Sequence, residues 1–118
     1  MRHSMVTVQT SNRQTNFKTM TQITSHIRQD IIIDNETNLT GMVTGNVTVD
    51  NAANFIIHGM VNGNVIVQVG STLVVHGTIN GNIINSGLCK VFGVVNGKLI
   101  DTGGSFDIDS KAHINETV

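Results

Sequence analysis

The sequence contains no proline, tryptophan or tyrosine, and aromatic residues make up only 3% of its 118 residues. It does contain twelve glycines. A domain built around long catalytic loops seldom has this composition, whereas a regular array of short repeats can. The composition therefore favours a repeat architecture over an enzyme with elaborate loops.

The chain has little that would direct it to a membrane, to nucleic acid or to an oxidising compartment. A single cysteine, Cys89, excludes an internal disulfide. No apolar run approaches the roughly twenty residues that span a bilayer, and the start MRHSMVTVQT is too polar for a secretory signal. The formal net charge of −1 gives no support for a nucleic-acid partner. We expect a cytoplasmic protein, without membrane contact through its N-terminal arm.

The sequence repeats itself at a nearly constant interval. The marker glycines of four good copies are separated by 18, 18 and 16 residues, and a fifth, decayed copy follows. The copies are GMVTGNV from Gly41, GMVNGNV from Gly59, GTINGNI from Gly77, GVVNGKL from Gly93 and AHINETV from Ala112. A period of this length is the signature of a solenoid.

Within each copy, β-branched apolar residues alternate with polar ones, which is the pattern of a half-buried strand. Glycines at fixed offsets supply the corners. We therefore predict an all-β fold, a single-stranded parallel β-helix of about 4–5 rungs with about 18 residues each. The predicted organisation is a β-helix domain over residues 31–118, preceded by a polar arm or cap over residues 1–30.

The N-terminal arm permits two interpretations. Phe17, Met20, Thr24, Ile27 and Ile31 follow a spacing of three to four residues, which predicts an amphipathic helix laid over the first rung. The alternating segment MVTVQT instead fits an additional strand. Either element would cap one end of the solenoid.

Stacked rungs place equivalent polar residues above one another, and asparagine amides can then bond from rung to rung. Two such columns of asparagines recur in the copies. One is named below with the ladder residues, and the other comprises Asn46, Asn64 and Asn82 and ends at Lys98. We interpret the repeated asparagines and histidines as structural ladders. The ladder residues are Asn62, Asn80 and Asn96 for the amides and His58 and His76 for the imidazoles.

No residue pattern supports catalysis or a cofactor. The column of His58 and His76 offers two ligands, where a metal site needs three or four. Cys89 has no predictable histidine neighbour and is interpreted as a core residue. We predict no catalytic, cofactor-binding or metal-binding residues.

The C-terminal end of the repeat suggests self-association. The sequence given stops at Val118, on a core column, with no capping segment after the last copy. An uncovered rung exposes strand edges and core side chains, which invites stacking against another end. We expect the protein to be its own partner, as a dimer or filament. The predicted contact residues are Phe106, Ile108, Ile114 and Val118.

The G-x-V-x-G-N-V units, joined by segments such as VQVGSTL, resemble the bactofilins, which are polymer-forming bacterial cytoskeletal proteins. The resemblance covers roughly Ile31–Val118. It implies a right-handed triangular β-helix that polymerises through its ends without nucleotide and has no catalytic residues. It also implies contacts in the terminal rungs, here the regions Ile31–Leu39 and Phe106–Val118. The absence of proline and of a C-terminal tail departs from the usual bactofilin pattern.

Two other functions fit parts of the pattern. A small binding module with a protein partner, such as an immunity protein that neutralises a toxin, could use the solenoid as a rigid face. A hexapeptide-type acyltransferase also has coils of eighteen residues, and Val61, Val67, Leu73 and Ile79 follow a six-residue spacing. However, the chain lacks the long loop that would form an acyl-donor site. An eighteen-residue rung is compatible with either handedness.

Overall fold

The computed structural model describes residues 6–8 and 21–117, with side chains from residue 21 onward. This part of the chain is all β and contains no helix. In chain order its strands are β1 (Val6–Val8), β2 (Thr21–Ile23), β3 (His26–Ile27), β4 (Ile31–Ile33), β5 (Thr37–Leu39), β6 (Met42–Val43), β7 (Val47–Val49), β8 (Asn54–Ile57), β9 (Met60–Val61), β10 (Val65–Val67), β11 (Thr72–Val75), β12 (Thr78–Ile79), β13 (Ile83–Asn85), β14 (Leu88–Val91), β15 (Val94–Asp101), β16 (Ser105–Ile108) and β17 (His113–Thr117).

The strands stack in parallel on three faces of a β-solenoid, as predicted. The first face carries β1, β4, β7, β10, β13 and the second halves of β15 and β17. The second face carries β2, β5, β8, β11, β14 and β16, and the third carries β3, β6, β9, β12 and the first halves of β15 and β17. Because β15 and β17 each pass from the third face to the first, those two faces form one eleven-stranded sheet.

The six strands of the second face define six turns, which we number from the N-terminus. The predicted count of four to five rungs was therefore too low. The missing turn is the first, where Thr21–Ile23 pairs with Thr37–Leu39 and His26–Ile27 pairs with Met42–Val43. The segment TQITSHI thus repeats TNLTGMV, but Ser25 replaces the marker glycine Gly41. The ladder also extends upstream of residue 31.

The predicted N-terminal helix is wrong where the structure describes it. Residues 21–31 form strands β2 and β3 and the start of β4. The apolar spacing resembles that of a helix because the inward residues on either side of each corner of the third face also recur every four residues. Examples are Ile23, Ile27 and Ile31, and Leu39, Val43 and Val47. Phe17 and Met20 lie outside the described residues. The predicted strand in MVTVQT is confirmed, since β1 pairs with β4.

One core runs along the inside of the solenoid. Equivalent inward side chains from successive turns lie above one another, as for Phe55, Leu73 and Cys89, all of which are fully buried. The turns approach so closely that some corners require glycine. A Cβ atom on Gly77 would lie 2.0 Å from the carbonyl oxygen of Gly59. The sequence repeats because each turn must match the turn below it.

Among turns 2 to 5, the number of residues differs at a single corner of the solenoid. Between the first and second faces, turns 3 and 4 have longer loops than turns 2 and 5, which accounts for the difference between 18-residue and 16-residue intervals. The loop of turn 3 contains Asn51 and Ala52 with φ near +59° and +57°, and that of turn 4 contains Gly70 with φ +87°. These insertions leave the stacking of the three faces unchanged.

Candidate self-association surfaces

The C-terminal end of the solenoid exposes its interior. Phe106 on β16 lies in register with the buried Cys89, so it occupies an inward position, yet it is 42% exposed. Ile108 and Ile114 are partly buried and pack against the core from the same last turn. Within the part of the chain that the structure describes, no strand pairs with the outer edge of β16. Three of the four predicted contact residues therefore lie together, and Val118 is outside the described residues.

The N-terminal end differs. Ile23 on β2 belongs to the first turn, and its inward column continues through Leu39 and Ile57 to Ile108 in the last turn. Although β2 is an edge strand, Ile23 is only 5% exposed. The apolar interior is thus covered at Ile23, with Ile27 on the third face partly buried, whereas Phe106 leaves it open at the other end.

Polar side chains enter the interior near the open end. Asn85 and Asp101 continue the inward column that holds Ile33, Val49 and Val67 in earlier turns. The fully buried Asn85 donates from Nδ2 to Oδ1 of Asp101 at 3.1 Å and to the carbonyl oxygen of Ser105 at 2.8 Å. Its Oδ1 accepts from the Gly87 N–H at 3.2 Å. These bonds join Asn85 to Asp101 and Ser105 of the next turn. Because a shifted register would break them inside the core, they favour one register between the last two turns.

Cys89 is buried in the same region and is chemically protected. Burial, together with a smaller contribution from the nearby Asp101 carboxylate, raises the pKa of the thiol from its ordinary value of 9.0 to about 12. The thiolate is the reactive form of cysteine. Cys89 is therefore a core residue with little nucleophilic character at neutral pH.

Two asparagine ladders run along the corner between the third face and the first face. In the first, Asn80 Nδ2 donates to Asn62 Oδ1 at 2.7 Å and Asn96 Nδ2 donates to Asn80 Oδ1 at 2.6 Å. In the second ladder, each side-chain oxygen accepts from the backbone N–H of the next turn. That ladder starts at Asp30, passes through Asn46, Asn64 and Asn82, and ends at the backbone of Lys98.

The histidines form a ring stack on the solvent side. The rings of His58 and His76 lie parallel with centroids 5.0 Å apart, and Phe92 continues the stack at 4.9 Å. All three residues are exposed. In residues 6–8 and 21–117, no three His, Cys, Asp or Glu side chains converge as a metal site would require. The arrangement supports a structural stack.

A row of isoleucines on the outer side of the first face was not singled out from the sequence. From turn 2 to turn 6, the middle residue of each first-face strand points outward, and these residues are stacked in register. All are partly exposed. The isoleucine stripe consists of Ile32, Thr48, Ile66, Ile84 and Ile100. In the sequence, this stripe is indicated by an apolar residue between two inward-facing neighbours, since the middle residue of such a strand must point outward.

A shallow groove of about 410 Å³ lies where the short loop of turn 5 sits between the loops of turns 4 and 6. Its lining consists of glycines, serines, Thr72 and Leu88, without any charged or imidazole side chain. Such a lining offers neither a nucleophile with a base nor a set of metal ligands. The groove is a consequence of loop length and has no catalytic constellation.

Comparison with protein-family models, with curated proteins and with solved structures finds no match to this chain. The described residues include no helix long and apolar enough to cross a membrane.

Proposed function

We propose that this is a non-enzymatic structural protein that self-associates through the C-terminal end of its solenoid. The observation that carries the proposal is the exposure of Phe106, an inward-pointing core residue, on a strand whose outer edge is unpaired in the described residues. Such an edge offers a row of backbone donors and acceptors to another chain. Joining it to a second copy would satisfy these groups and cover the apolar layer at the same time.

The difference between the two ends favours a contact in which C-terminal ends meet. Two identical ends can join around a two-fold axis, which closes the assembly as a dimer. Since Ile23 is already covered at the other end, a filament would need a second kind of contact there. We therefore propose a dimer as the basic unit. Covering the exposed part of Phe106 contributes about 2 kcal/mol per copy.

The cellular role that we propose is that of a bactofilin-like scaffold in the cytoplasm. The support is the repeated G-x-V-x-G-N-V pattern together with the parallel solenoid that it forms. A single cysteine that is buried and reduced fits a reducing compartment.

The test measures molar mass by light scattering over a range of concentrations, with negative-stain microscopy of the same samples. Phe106→Lys should convert dimers to monomers, because a lysine would place its charge in the contact. Phe92→Lys is the matched control, since Phe92 is also 42% exposed but lies on the side of the solenoid. Ile114→Lys should act like Phe106→Lys.

A wild-type chain that stays monomeric at the highest concentration would exclude self-association through the end. Equal effects of Phe106→Lys and Phe92→Lys would exclude the end as the contact. A monomer would direct attention to the binding-module function, which would then be pursued by a search for its protein partner.

A further inference from the structure

The isoleucine stripe is an apolar row on the side of the molecule, distinct from the open end. With turns about 4.8 Å apart, its five residues span about 19 Å. Polar residues flank it on both sides, two positions before and two positions after each stripe residue. An apolar patch with a polar rim is typical of an interaction site.

The charges of the rim are arranged unequally along the solenoid axis. Beyond turn 6, Glu116 of β17 stacks in register on Lys98. Alongside the stripe itself, the row before it runs from the acid Asp30 in turn 2 to the base Lys98 in turn 6. Between them lie the three asparagines of the second ladder. The row after the stripe has its acids in turns 2 and 3 and hydroxyl residues in turns 5 and 6. This second row consists of Asp34, Asp50, Gln68, Ser86 and Thr102.

We propose that the first face binds a second copy of this chain, with the two solenoid axes antiparallel. The copies are related by a two-fold axis that runs along the strand direction through turn 4. Each row then faces the same row of the second copy in reverse order. Ile66 meets Ile66 of the second copy, and Ile32 meets Ile100 of the second copy.

Charge complementarity selects this arrangement. Asp30 faces Lys98 of the second copy at one end of the contact, and the same pair recurs at the other end by symmetry. In the other rim row, Asp34 faces Thr102 and Asp50 faces Ser86 of the second copy, so no acid meets an acid. Lys98 has only a weak competing partner, Glu116 at 3.9 Å, with both side chains about half exposed.

A two-fold axis parallel to the solenoid axis would instead place each rim row against the other rim row of the second copy. Asp30 would then face Asp34 of the second copy, and Lys98 would face Thr102. This arrangement brings like charges together and loses the ion pair, so the antiparallel arrangement is the one that the rim favours.

The lateral contact is small. The stripe and its two rims cover about 19 Å by about 14 Å, or roughly 270 Å² on each copy. This lies below the size of stable interfaces, so the contact is weak in isolation. Its apparent affinity rises when copies are already joined through their ends, because the lateral contacts then form at a high effective concentration. The lateral contact does not depend on the end contact, and separate variants test the two.

The first test is a charge swap followed by sedimentation equilibrium up to millimolar protein, in the Phe106→Lys background to remove the end contact. Asp30→Lys and Lys98→Asp should each weaken association about tenfold. The double variant Asp30→Lys/Lys98→Asp should restore it. A double variant no better than the single ones would overturn the antiparallel pairing.

The second test uses single cysteines and a short bismaleimide. Native Cys89 is buried and should not react. Ile66→Cys lies on the two-fold axis and should cross-link to itself, whereas Ile32→Cys should not, because its copies are about 19 Å apart along the axis. A mixture of Ile32→Cys and Ile100→Cys chains should cross-link between chains. Equal yields for Ile66→Cys and Ile32→Cys would also overturn the proposal.

Discussion

The two ends of this solenoid have the same strand architecture but cover their interior to different extents. Ile23 and Ile108 occupy the same inward column, in the first and last turns respectively. Ile23 is 5% exposed, whereas Ile108 lies beside Phe106, which is 42% exposed. A stacked repeat covers every turn except its outermost ones, so each end must be covered by something outside the repeat. In the described residues, the last turn is the one that leaves a large inward side chain exposed to solvent.

The largest difference should appear between an interior residue and its equivalent at the open end. Phe55 and Phe106 share one inward column, but Phe55 is fully buried. Phe55→Ala should lower the free energy of unfolding by about 3–5 kcal/mol. Phe106→Ala should lower it by about 1 kcal/mol, because solvent already reaches the ring. Urea unfolding at concentrations that keep the chain monomeric measures both. Similar losses would mean that Phe106 is covered in solution.

A direct comparison of the two ends should give a smaller difference. Ile23→Ala should cost about 2–4 kcal/mol, because it leaves a cavity under a covered end. Ile108→Ala should cost about 1 kcal/mol, because it is only partly buried and solvent can fill the space. The same unfolding measurement applies to both variants. If Ile108→Ala proves the more damaging, the open end is not the weaker one.

Alkaline pH should destabilise the turn below the open end. The Cys89 pKa rises from 9.0 to about 12 on folding, so the native state retains its proton where the unfolded state loses it. Stability from this group is therefore complete below pH 9 and falls as the pH rises toward 12. At pH 10.5 the loss should be about 2 kcal/mol.

The control for this effect is Cys89→Ala, which is destabilised at every pH but should lack the extra loss between pH 8 and pH 10.5. The difference in unfolding free energy between the two pH values, compared for both chains, isolates the thiol. An identical pH dependence in the variant would show that other groups are responsible.

The repeat was predictable because each turn imposes the same constraints on the next. Glycines such as Gly59 and Gly77 mark close backbone contacts, and the inward columns of valine and isoleucine are visible as a period in the sequence. Asn62 and Asn80 could be assigned to a ladder because equivalent positions must stack. These features depend on the match between neighbouring turns, which the sequence records directly.

The first turn was not predicted because it lacks the marker glycine by which the other turns were recognised. Ser25 stands where later turns have glycine, and the four-residue spacing of Ile23, Ile27 and Ile31 also fits a helix. Only pairing with β5 and β6 distinguishes the two possibilities. A local apolar pattern does not identify which partner will cover it.

By itself, the sequence determined the turn length, the inward columns and the ladders, since each follows from a residue meeting its own equivalent one turn away. Only the tertiary structure decided which end is covered and which outward residues form one surface. Coverage depends on what lies beyond the last pairing strand, and the isoleucine stripe depends on the register that aligns Ile32 with Thr48 and Ile66. Both properties are set by contacts between residues distant in the chain, which a repeat period does not specify.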